Sequence, residues 1–560
     1  MKILIVGGVA AGAGAAARLR RLDEEAEIII FDKGPYVSYS NCSLPYRLSD
    51  TVDSDEKLIM MNPEQFLTRY NIIVRVNQDV VSINRKDKTI TIQSKDGTYE
   101  ENYDKLVLAT GANAFVPPVE GIETADVFTL KTVDDTVSLY RFLKEKKAEN
   151  VSIIGGGFIG IEAAVNLKEA GYKVTVIEAL PQILNTFDYD MVQILQKEMI
   201  DHGVNVITND KLMSFDHNNL HLSSGKVIRS DAVIMAVGVR PDTKLAKDAG
   251  LELNGRGAII VDANYRTSDT DIYAAGDAVE VFNALTSKPM MLALAGPAQK
   301  EARTLADHIM NRPVHNTGFI GSNCIKVFDY NAAATGLTAA MCEREGIPYD
   351  SVYVIPQDRV SIMPEAVPMH YKLIYRIPDG LVLGVQAVSK GDAAKKADIA
   401  ATVLHFHGTI YDLMDLELCY APPFSTAREA TNFAGMSAAN LMEKAYRQVK
   451  VSDVRKLVEE GAYILDVREE MEYEAGHIVN AINIPLSQLR QRMAEVPKDR
   501  PVYVHCRTGQ RSYNAVLALQ AHGYDNVYNI SGSFLGLCFY EYYMDKTTNR
   551  KPIVTAYNFN

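Results

Sequence analysis

The sequence predicts an α/β protein assembled from several domains, and three observations carry that prediction. One strand–glycine loop–helix–strand pattern occurs twice, about 150 residues apart. Both copies end their second strand on an acid, Asp32 and Glu178. Beyond residue 316 the pattern changes to strands and helices of an α+β kind, and a compact α/β segment of roughly a hundred residues closes the chain.

The elements follow in order. Lys2–Val6 is an apolar run of strand length, then comes GGVAAG, the small-residue helix Ala13–Leu22 and the strand Glu27–Phe31. In the second copy Val151–Ile154 leads into GGGFIG, the helix Ile161–Ala170 and the strand Lys173–Ile177. LVLATGA (Leu106–Ala112) and VIMAVGV (Val233–Val239) form a further echo, each a buried strand ending in a glycine turn. Ile72–Ile92 is β-rich, with a hairpin turn at Lys95-Asp96-Gly97. Past Asn316 the strands are Ser322–Phe328, Ala332–Leu337, Tyr349–Ile355, Met369–Tyr375 and Leu383–Val388; the helices are Gly391–Thr402 and Ala438–Arg447. Gln448–Ser452 reads as a short flexible junction, spanning on the order of 12 Å. Then come the helix Ser452–Glu460, the strands Tyr463–Val467 and Val502–His505, and the helix Ser512–His522, with a polar, weakly patterned tail from Lys546.

Composition narrows the function. A chain of 560 residues fits about four domains, and 47% hydrophobic residues fill several cores. A net charge of −12 without a basic run argues against nucleic acid and against a polybasic membrane patch. No run of about 18 apolar residues occurs, so no membrane helix is expected. The opening MKILIVGGVAAGAGAAA has the lysine and apolar run of a leader peptide, but its glycines stand where a nucleotide loop needs them. Six cysteines without a CxxC pair make no disulfide framework, no metal set is expected, and a reducing cytoplasm fits best.

A strand, a glycine turn and a helix N-terminus together bind a pyrophosphate: the glycines admit it and the helix dipole favours its charge. The second loop matches GxGxxG through Gly155, Gly157 and Gly160, with Glu178 as its acid. The first, Gly7, Gly8 and Gly12, has Val9 at the middle position, and Asp32, placed for a ribose hydroxyl, strengthens it. Two Rossmann-like units in one chain point to two dinucleotides. TSDTDIYAAGDAVE (Thr267–Glu280) resembles the second FAD signature of two-dinucleotide flavoproteins. That resemblance assigns FAD to the first unit, with Asp277 and Ala278 at the ribityl or pyrophosphate region and Ala109 and Gly111 at the glycine turn. The nicotinamide cofactor falls to the second unit, with Gly238 at the matching turn. Glu178 accepts from a 2′-hydroxyl and repels a 2′-phosphate, and no arginine follows it, so NADH is expected over NADPH.

SYSNCSLPY (Ser38–Tyr46) places a lone Cys42 between Asn41 and Ser43. With the loops above, this stretch resembles the pyridine nucleotide-disulfide oxidoreductases over residues 1 to about 440. SxxNCxLPY resembles their single-cysteine branch: coenzyme A-disulfide reductases, NADH oxidases and peroxidases, and NADH-dependent persulfide reductases. The dithiol members carry CxxxxC, whereas Arg47 stands five residues after Cys42. Cys42 would therefore carry its electrons as a mixed disulfide, a persulfide or a sulfenate, its thiolate stabilised by neighbouring amides and the flavin edge. The resemblance implies an FAD-binding domain (1–112 and 238–316), an NAD(P)H-binding domain (113–237) and an α+β dimerisation domain (317–447). In its coenzyme A branch the thiol-substrate contacts fall on Gly14, Arg18, Arg21, Ser38, Asn41, Tyr70, Gln299 and Arg428, making coenzyme A a candidate bound thiol. LCYAPPFSTAR (Leu418–Arg428) resembles the YAPP segment in which a tyrosine, here Tyr420, reaches the other subunit's flavin and cysteine, implying a homodimer. A second active-site tyrosine of the family is missing, because Ile362 and Met363 stand in its stretch. Cys324, Cys342, Cys419 and Cys538 read as core filling.

CRTGQRS (Cys506–Ser512) lies between a strand and a helix, so its amides turn inward on the sulfur and stabilise a thiolate or persulfide. Arg507, Thr508, Gly509, Gln510 and Arg511 form the loop. Phosphatase loops place the arginine six residues after the cysteine; Arg511 is five after. With LDVRE and GHIVNAINIP upstream, the segment resembles a rhodanese domain over 448–545, followed by the tail 546–560. The function implied is reduction of persulfides, polysulfides or coenzyme A disulfides by NADH through FAD and Cys42, coupled to sulfur transfer at Cys506. Two alternatives stay open: an NADH oxidase or peroxidase cycling a Cys42 sulfenate, and a sulfur carrier regulated by its flavoprotein half.

Overall fold

The computed structural model describes residues 1–559; Asn560 lies outside the described residues. The chain divides into two compact units, Met1–Leu180 with Ile207–Phe319, and Pro181–Val206 with the chain from Ile320 on.

The first unit contains both copies of the repeat. Lys2–Val6 pairs in parallel with Glu27–Phe31 on one side and Lys105–Leu108 on the other, with Ile73–Arg75 and Ile272–Ala274 at the flanks. Asn150–Ile154 repeats the arrangement between Lys173–Ile177 and Ala232–Met235, with Val127–Phe128 beyond. The strands form because their side chains have nowhere else to go: Ile3, Leu4, Ile5 and Ile29 to Phe31 are fully buried. Each such side chain contributes about 1.5–3 kcal/mol on burial. Both helices start three residues earlier than the sequence suggests, as Ala10–Leu22 and Phe158–Glu169, because the glycine loop itself forms the first turn. Small residues on the inner face, Ala11, Gly12, Ala15 and Ala16, let the first helix lie close on its sheet. A three-stranded antiparallel meander accompanies each copy: Asp79–Asn84, Thr89–Ser94 and Gly97–Asn102 in one, Leu212–Asp216, Asn219–Leu222 and Val227–Arg229 in the other. The expected turn at Lys95-Asp96-Gly97 joins the last two strands of the first meander.

In the second unit Asn323–Val327, Tyr330–Gly336, Val382–Ser389, His370–Arg376 and Tyr349–Val354 form an antiparallel sheet in that spatial order, so Tyr349–Val354 is an edge strand. The helices Ala393–His405 and Ala430–Met442 accompany it. The latter begins eight residues before the expected Ala438, because the Glu429 side chain caps the Thr431 amide at 2.7 Å and small residues carry the buried face. A second sheet, all parallel, runs Gln448–Val449, Val527–Ile530, Val502–His505, Tyr463–Asp466, Ile482–Asn483.

Two expectations fail here. The junction is no flexible linker: Gln448 and Val449 form an edge strand of the C-terminal sheet, paired with Asn529 and Ile530. Gln448 also donates to the Ser351 carbonyl at 2.7 Å, Ser531 Oγ accepts from the Tyr353 amide at 3.1 Å, and the Gly532 amide donates to the Tyr353 carbonyl at 3.2 Å. The C-terminal domain is thereby seated on the edge strand Tyr349–Val354. The residues from Lys546 are no loose tail either. The last helix, Ser533–Thr547, runs into them, and Ile553 and Val554 are buried beside Ile478, with the Val479 amide on the Ile553 carbonyl at 2.8 Å. Two apolar residues in a polar stretch suffice, because they close an apolar gap already lined by Ile478 and Phe534. Among the described residues no helix is long and apolar enough to cross a membrane.

Candidate functional site

The glycine loops come first, since they position everything else in the first unit. A Cβ on Gly12 would lie 1.8 Å from the Gly7 carbonyl, and one on Gly160 lies 2.1 Å from the Gly155 carbonyl, so only glycine allows these turns. Gly157, by contrast, faces open space, as a phosphate approach requires. The two acids do the same work in their copies. Asp32 accepts from the amides of Gly8 (2.8 Å) and Gly34 (2.9 Å); Glu178 accepts from those of Gly156 (2.7 Å) and Leu180 (2.8 Å). Each carboxylate oxygen keeps a lone pair for a ribose hydroxyl. Burial pushes the Asp32 carboxyl up, against the two amides that hold it down. Gly111 and Gly238 take positive φ with open space at the Cβ, and Ala109, beside the first turn, carries the carbonyl that crowds Gly7. These cradles fit the two dinucleotides expected of them.

Cys42 lies on the exposed three-residue 3-10 turn Asn41–Ser43, ahead of the short helix Leu44–Arg47. It is the single cysteine of the first unit. Among the described residues no amide donates to its sulfur, so the expected amide stabilisation is absent. Although the residue is exposed, the protein around its sulfur removes part of a thiolate's hydration and, with Glu162 and Asp277 nearby, pushes the Cys42 thiol up; Lys131 pulls it down. Lys131 is itself engaged, donating to Asp277 at 2.9 Å, so Asp277 is a lysine partner here, and Ala278 beside it is buried. Glu162 is pushed up to about 7 by burial, against a hydrogen bond from Tyr46. Near Asp277, the buried Glu301 is likewise pushed up to about 7 and accepts from the Gly276 amide at 2.6 Å. Lys131, Glu162 and Glu301 escaped the sequence reading because none sits in a motif.

The residues assigned to a thiol substrate divide. Ser38 sits at φ 48 with its amide on the Gly8 carbonyl at 2.8 Å, joining the glycine loop to the Cys42 turn. Gln299 donates to the Ala10 carbonyl at 2.7 Å and would crowd any side chain at Gly14. Tyr70 is half-buried, and its carbonyl accepts from the buried Arg20 at 2.9 Å. Arg18, expected on phosphates, instead spends its guanidinium on Asp307, with Nε at 2.9 Å and Nη2 at 2.5 Å. Arg21 and Arg428 are exposed, and Asn41 is half-buried. In the second unit Tyr420 is exposed, as is Ile362, where the second tyrosine is missing. Cys324 and Cys419 are exposed too, against expectation: the first faces outward on an edge strand, the second lies in a loop. Cys342 and Cys538 are buried.

Cys506 is the opposite case. It is buried at the end of Val502–His505, and its sulfur accepts from the Gly509 amide at 3.2 Å. One amide, not the whole loop, reaches the sulfur. Gly509 caps Gln510–Ala521 at φ 106, so the loop needs it. The last helix fixes the loop from behind: Ser533 Oγ accepts from the Cys506 amide at 2.8 Å, and the amides of Phe534 and Leu535 donate to the carbonyls of Cys506 and Arg507. Arg511 grips Glu472 with two bonds of 2.6 and 2.7 Å; this pair, with the Cys506 sulfur, holds the guanidinium firmly charged. Arg507 and Thr508 are half-buried and Gln510 is exposed. Beneath lies a fully buried pair, Arg468 on Asp466 at 2.6 Å, with the guanidinium 4.0 Å over the Phe534 ring. Burial pushes the neighbouring His505 imidazole down, against the pull of Asp466.

Comparison with known proteins follows this division. A family model of the pyridine nucleotide-disulphide oxidoreductases matches residues 1–302, one of their dimerisation domain matches 323–431, and one of the rhodanese-like domain matches 450–538. A coenzyme A disulfide reductase of Staphylococcus aureus is 32% identical over 440 residues, 78% of this chain and 99% of its own. Among solved structures, reduced CoADR-RHD of Bacillus anthracis is 40% identical with a TM-score of 0.94, covering 96% of this chain and 98% of that one. A NAD-dependent persulfide reductase from A. fulgidus is 34% identical with a TM-score of 0.90, covering 95% and 99%. With two nucleotide cradles, a lone cysteine turn and a second cysteine loop in this order, the chain belongs to the pyridine nucleotide-disulphide oxidoreductases and carries their dimerisation domain and a rhodanese-like domain.

Proposed function

We propose that this chain is an FAD- and NADH-dependent reductase of persulfides, polysulfides or coenzyme A disulfides, with Cys42 as its redox sulfur and Cys506 as a coupled sulfur-transfer site, working as a homodimer. The observation that carries the reading is the isolation of Cys42: it is exposed, and no second cysteine shares its unit. A thiol without a partner cannot close a disulfide within its own unit and acts through a bond to an external atom, which in this reading is a substrate sulfur.

The first cradle, Gly7, Gly8, Gly12 and Asp32, would hold FAD, and the second, Gly155, Gly157, Gly160 and Glu178, would hold NADH. When bound, these cofactors supply the electron pair. Cys42 as thiolate attacks the outer sulfur of R–S–SH; the S–S bond breaks, RSH leaves and Cys42 carries a persulfide. Reductive cleavage of that bond releases sulfide and restores the thiolate. The balance is R–S–SH + NADH + H⁺ → RSH + H₂S + NAD⁺. Lys131 opposes the negative field of Glu162 and Asp277 at Cys42. Glu162, with its carboxyl at about 7, holds or releases a proton near neutrality. At Cys506 the Gly509 amide and Arg511 stabilise a sulfur anion while a sulfane sulfur is carried.

The test is anaerobic turnover of NADH with glutathione and coenzyme A persulfides, with sulfide measured directly, and the mass of the adduct on Cys42. One sulfide per NADH and a sulfur or thiol adduct on Cys42 are expected. Turnover that needs oxygen or peroxide, with an oxidised Cys42, would replace the reading with an oxidase or peroxidase. Sulfur transfer without NADH consumption would make the chain a carrier.

A further inference from the structure

Away from both sulfurs, in the second unit, three ligand-type side chains converge. The helix Tyr189–Asp201 ends at His202, and Glu198 stands one turn before it on the same face. The hairpin between Asn323–Val327 and Tyr330–Gly336 turns through Phe328 and Asp329. Phe328 takes φ 50, rare for a bulky residue, and its ring stacks on the His202 imidazole with centroids 4.0 Å apart and planes 3° off parallel. This stack brings the hairpin turn to the helix end. One ligand atom each of Glu198, His202 and Asp329 then lies within 4.8 Å of the other two.

Glu198 gives the cluster its meaning. It is 7% exposed, and its Oε1 has no hydrogen-bond partner. That oxygen lies 3.5 Å from His202 Nδ1, which sits 3.0 Å from the Glu198 carbonyl, so Nε2 is the imidazole nitrogen left to bind an ion. Leaving a buried carboxylate oxygen without a donor is costly, and a cation removes the cost. The surrounding charge is negative, with Glu198, Asp201 and Asp329 gathered around the Tyr330 side chain. Two lysines stand near. Lys197 is paired with Asp201, and Lys390 reaches only Oδ2 of Asp329, at 3.3 Å, from an exposed position. Neither satisfies Glu198 Oε1.

We propose that Glu198, His202 and Asp329 form a binding site for one divalent transition-metal ion, Zn²⁺ in preference to Mg²⁺, which staples the end of this helix to the hairpin turn. One imidazole with two carboxylates is the donor set such ions take; Mg²⁺ prefers oxygen alone, in a near-octahedral shell. Tetrahedral Zn²⁺ at about 2.1 Å puts its ligand atoms about 3.4 Å apart. The side chains therefore close by up to about 1.4 Å from their 4.8 Å limit, which the exposed Asp329 carboxylate can supply by rotation. No sequence motif marks this site, because the Glu198–His202 pair is one short turn and the third ligand comes 127 residues later.

Co²⁺ titrated into the full-length, FAD-loaded protein tests this. We expect one Co²⁺ per chain, with the weak visible bands of a nitrogen–oxygen site and no thiolate charge-transfer absorption. His202→Ala and Asp329→Asn should each weaken binding by at least about tenfold, and Cys506→Ser should leave it intact. Zn²⁺ should displace the cobalt at concentrations where Mg²⁺ does not. Both ligand variants are at the surface end of the site, and their circular dichroism and Tm identify any that misfolds, leaving the other to decide. Unchanged binding in a folded variant would overturn the site, as would a thiolate charge-transfer band that disappears with Cys506→Ser.

Discussion

Cys42 and Cys506, the two sulfurs of the proposed function, stand in surroundings that differ in kind. Cys42 stands on an exposed turn with no donor on its sulfur, and two carboxylates outweigh a lysine already bound to one of them. Cys506 is buried, accepts from an amide, and has a clamped arginine beside it. A site whose fixed dipoles are in place works at once on whatever small donor arrives. A site without them is completed only when a cofactor or substrate supplies the missing positive field. The difference teaches that the first sulfur depends on what binds around it, while the second depends on its own loop.

The largest expected effect tests that division at Cys42. Cys42→Ser should lower persulfide reduction by at least about 100-fold, with NADH reduction of a dye within about twofold of the parent; if more than a few per cent of persulfide turnover survives, another thiol takes the electrons. Cys506→Ser comes next. Turnover with thiosulfate-type donors or polysulfide should fall about 30-fold, and turnover with preformed small persulfides should barely change. Equal losses for both donors would make the second loop a regulator or a support. Nucleotide choice should leave both sulfurs untouched: Glu178 should give NADH at least about a tenfold advantage over NADPH in kcat/KM, and Glu178→Ala should shrink it. Equal rates in the parent would remove that role.

Smaller effects sharpen the electrostatic contrast. Arg511→Lys loses the two-pronged grip on Glu472 and should slow sulfur transfer about fivefold, with no change in persulfide reduction. At Cys42 the sign can be read from alkylation. Its neighbours raise the thiol, so Glu162→Gln should speed iodoacetamide labelling at pH 8 about threefold, and Lys131→Met should slow it. Faster labelling after loss of the lysine would contradict the field described here; labelling of Cys506 should follow neither change.

Much of the fold was legible because its signals are short. The strands Lys2–Val6 and Val502–His505 lie where their apolar runs place them, since a glycine loop or a cysteine loop fixes one end of each, and Glu27–Phe31 is bounded by its acid Asp32. The cysteines Cys42 and Cys506 stood out for the same reason. What escaped depends on partners far along the chain. Arg18 meets Asp307, 289 residues on, and Lys131 meets Asp277, 146 residues on. Nothing local distinguishes these residues from solvated charges. The seat of Gln448–Val449 and the return of Ile553 and Val554 were hidden likewise, because two-residue strands and paired apolar residues carry no period to detect.

The edge strand Tyr349–Val354 has a consequence for solubility and for how the chain can be divided. The Ser351 carbonyl and the amide and carbonyl of Tyr353 are occupied by Gln448, Ser531 and Gly532, and Val352 and Tyr353 are buried. Cutting the chain at residue 447 would leave these backbone groups of an edge strand without their partners, a template on which sheets of neighbouring molecules pair. A form ending there is expected to precipitate more readily than the full chain, and a lysine or a proline placed in that strand should reverse this.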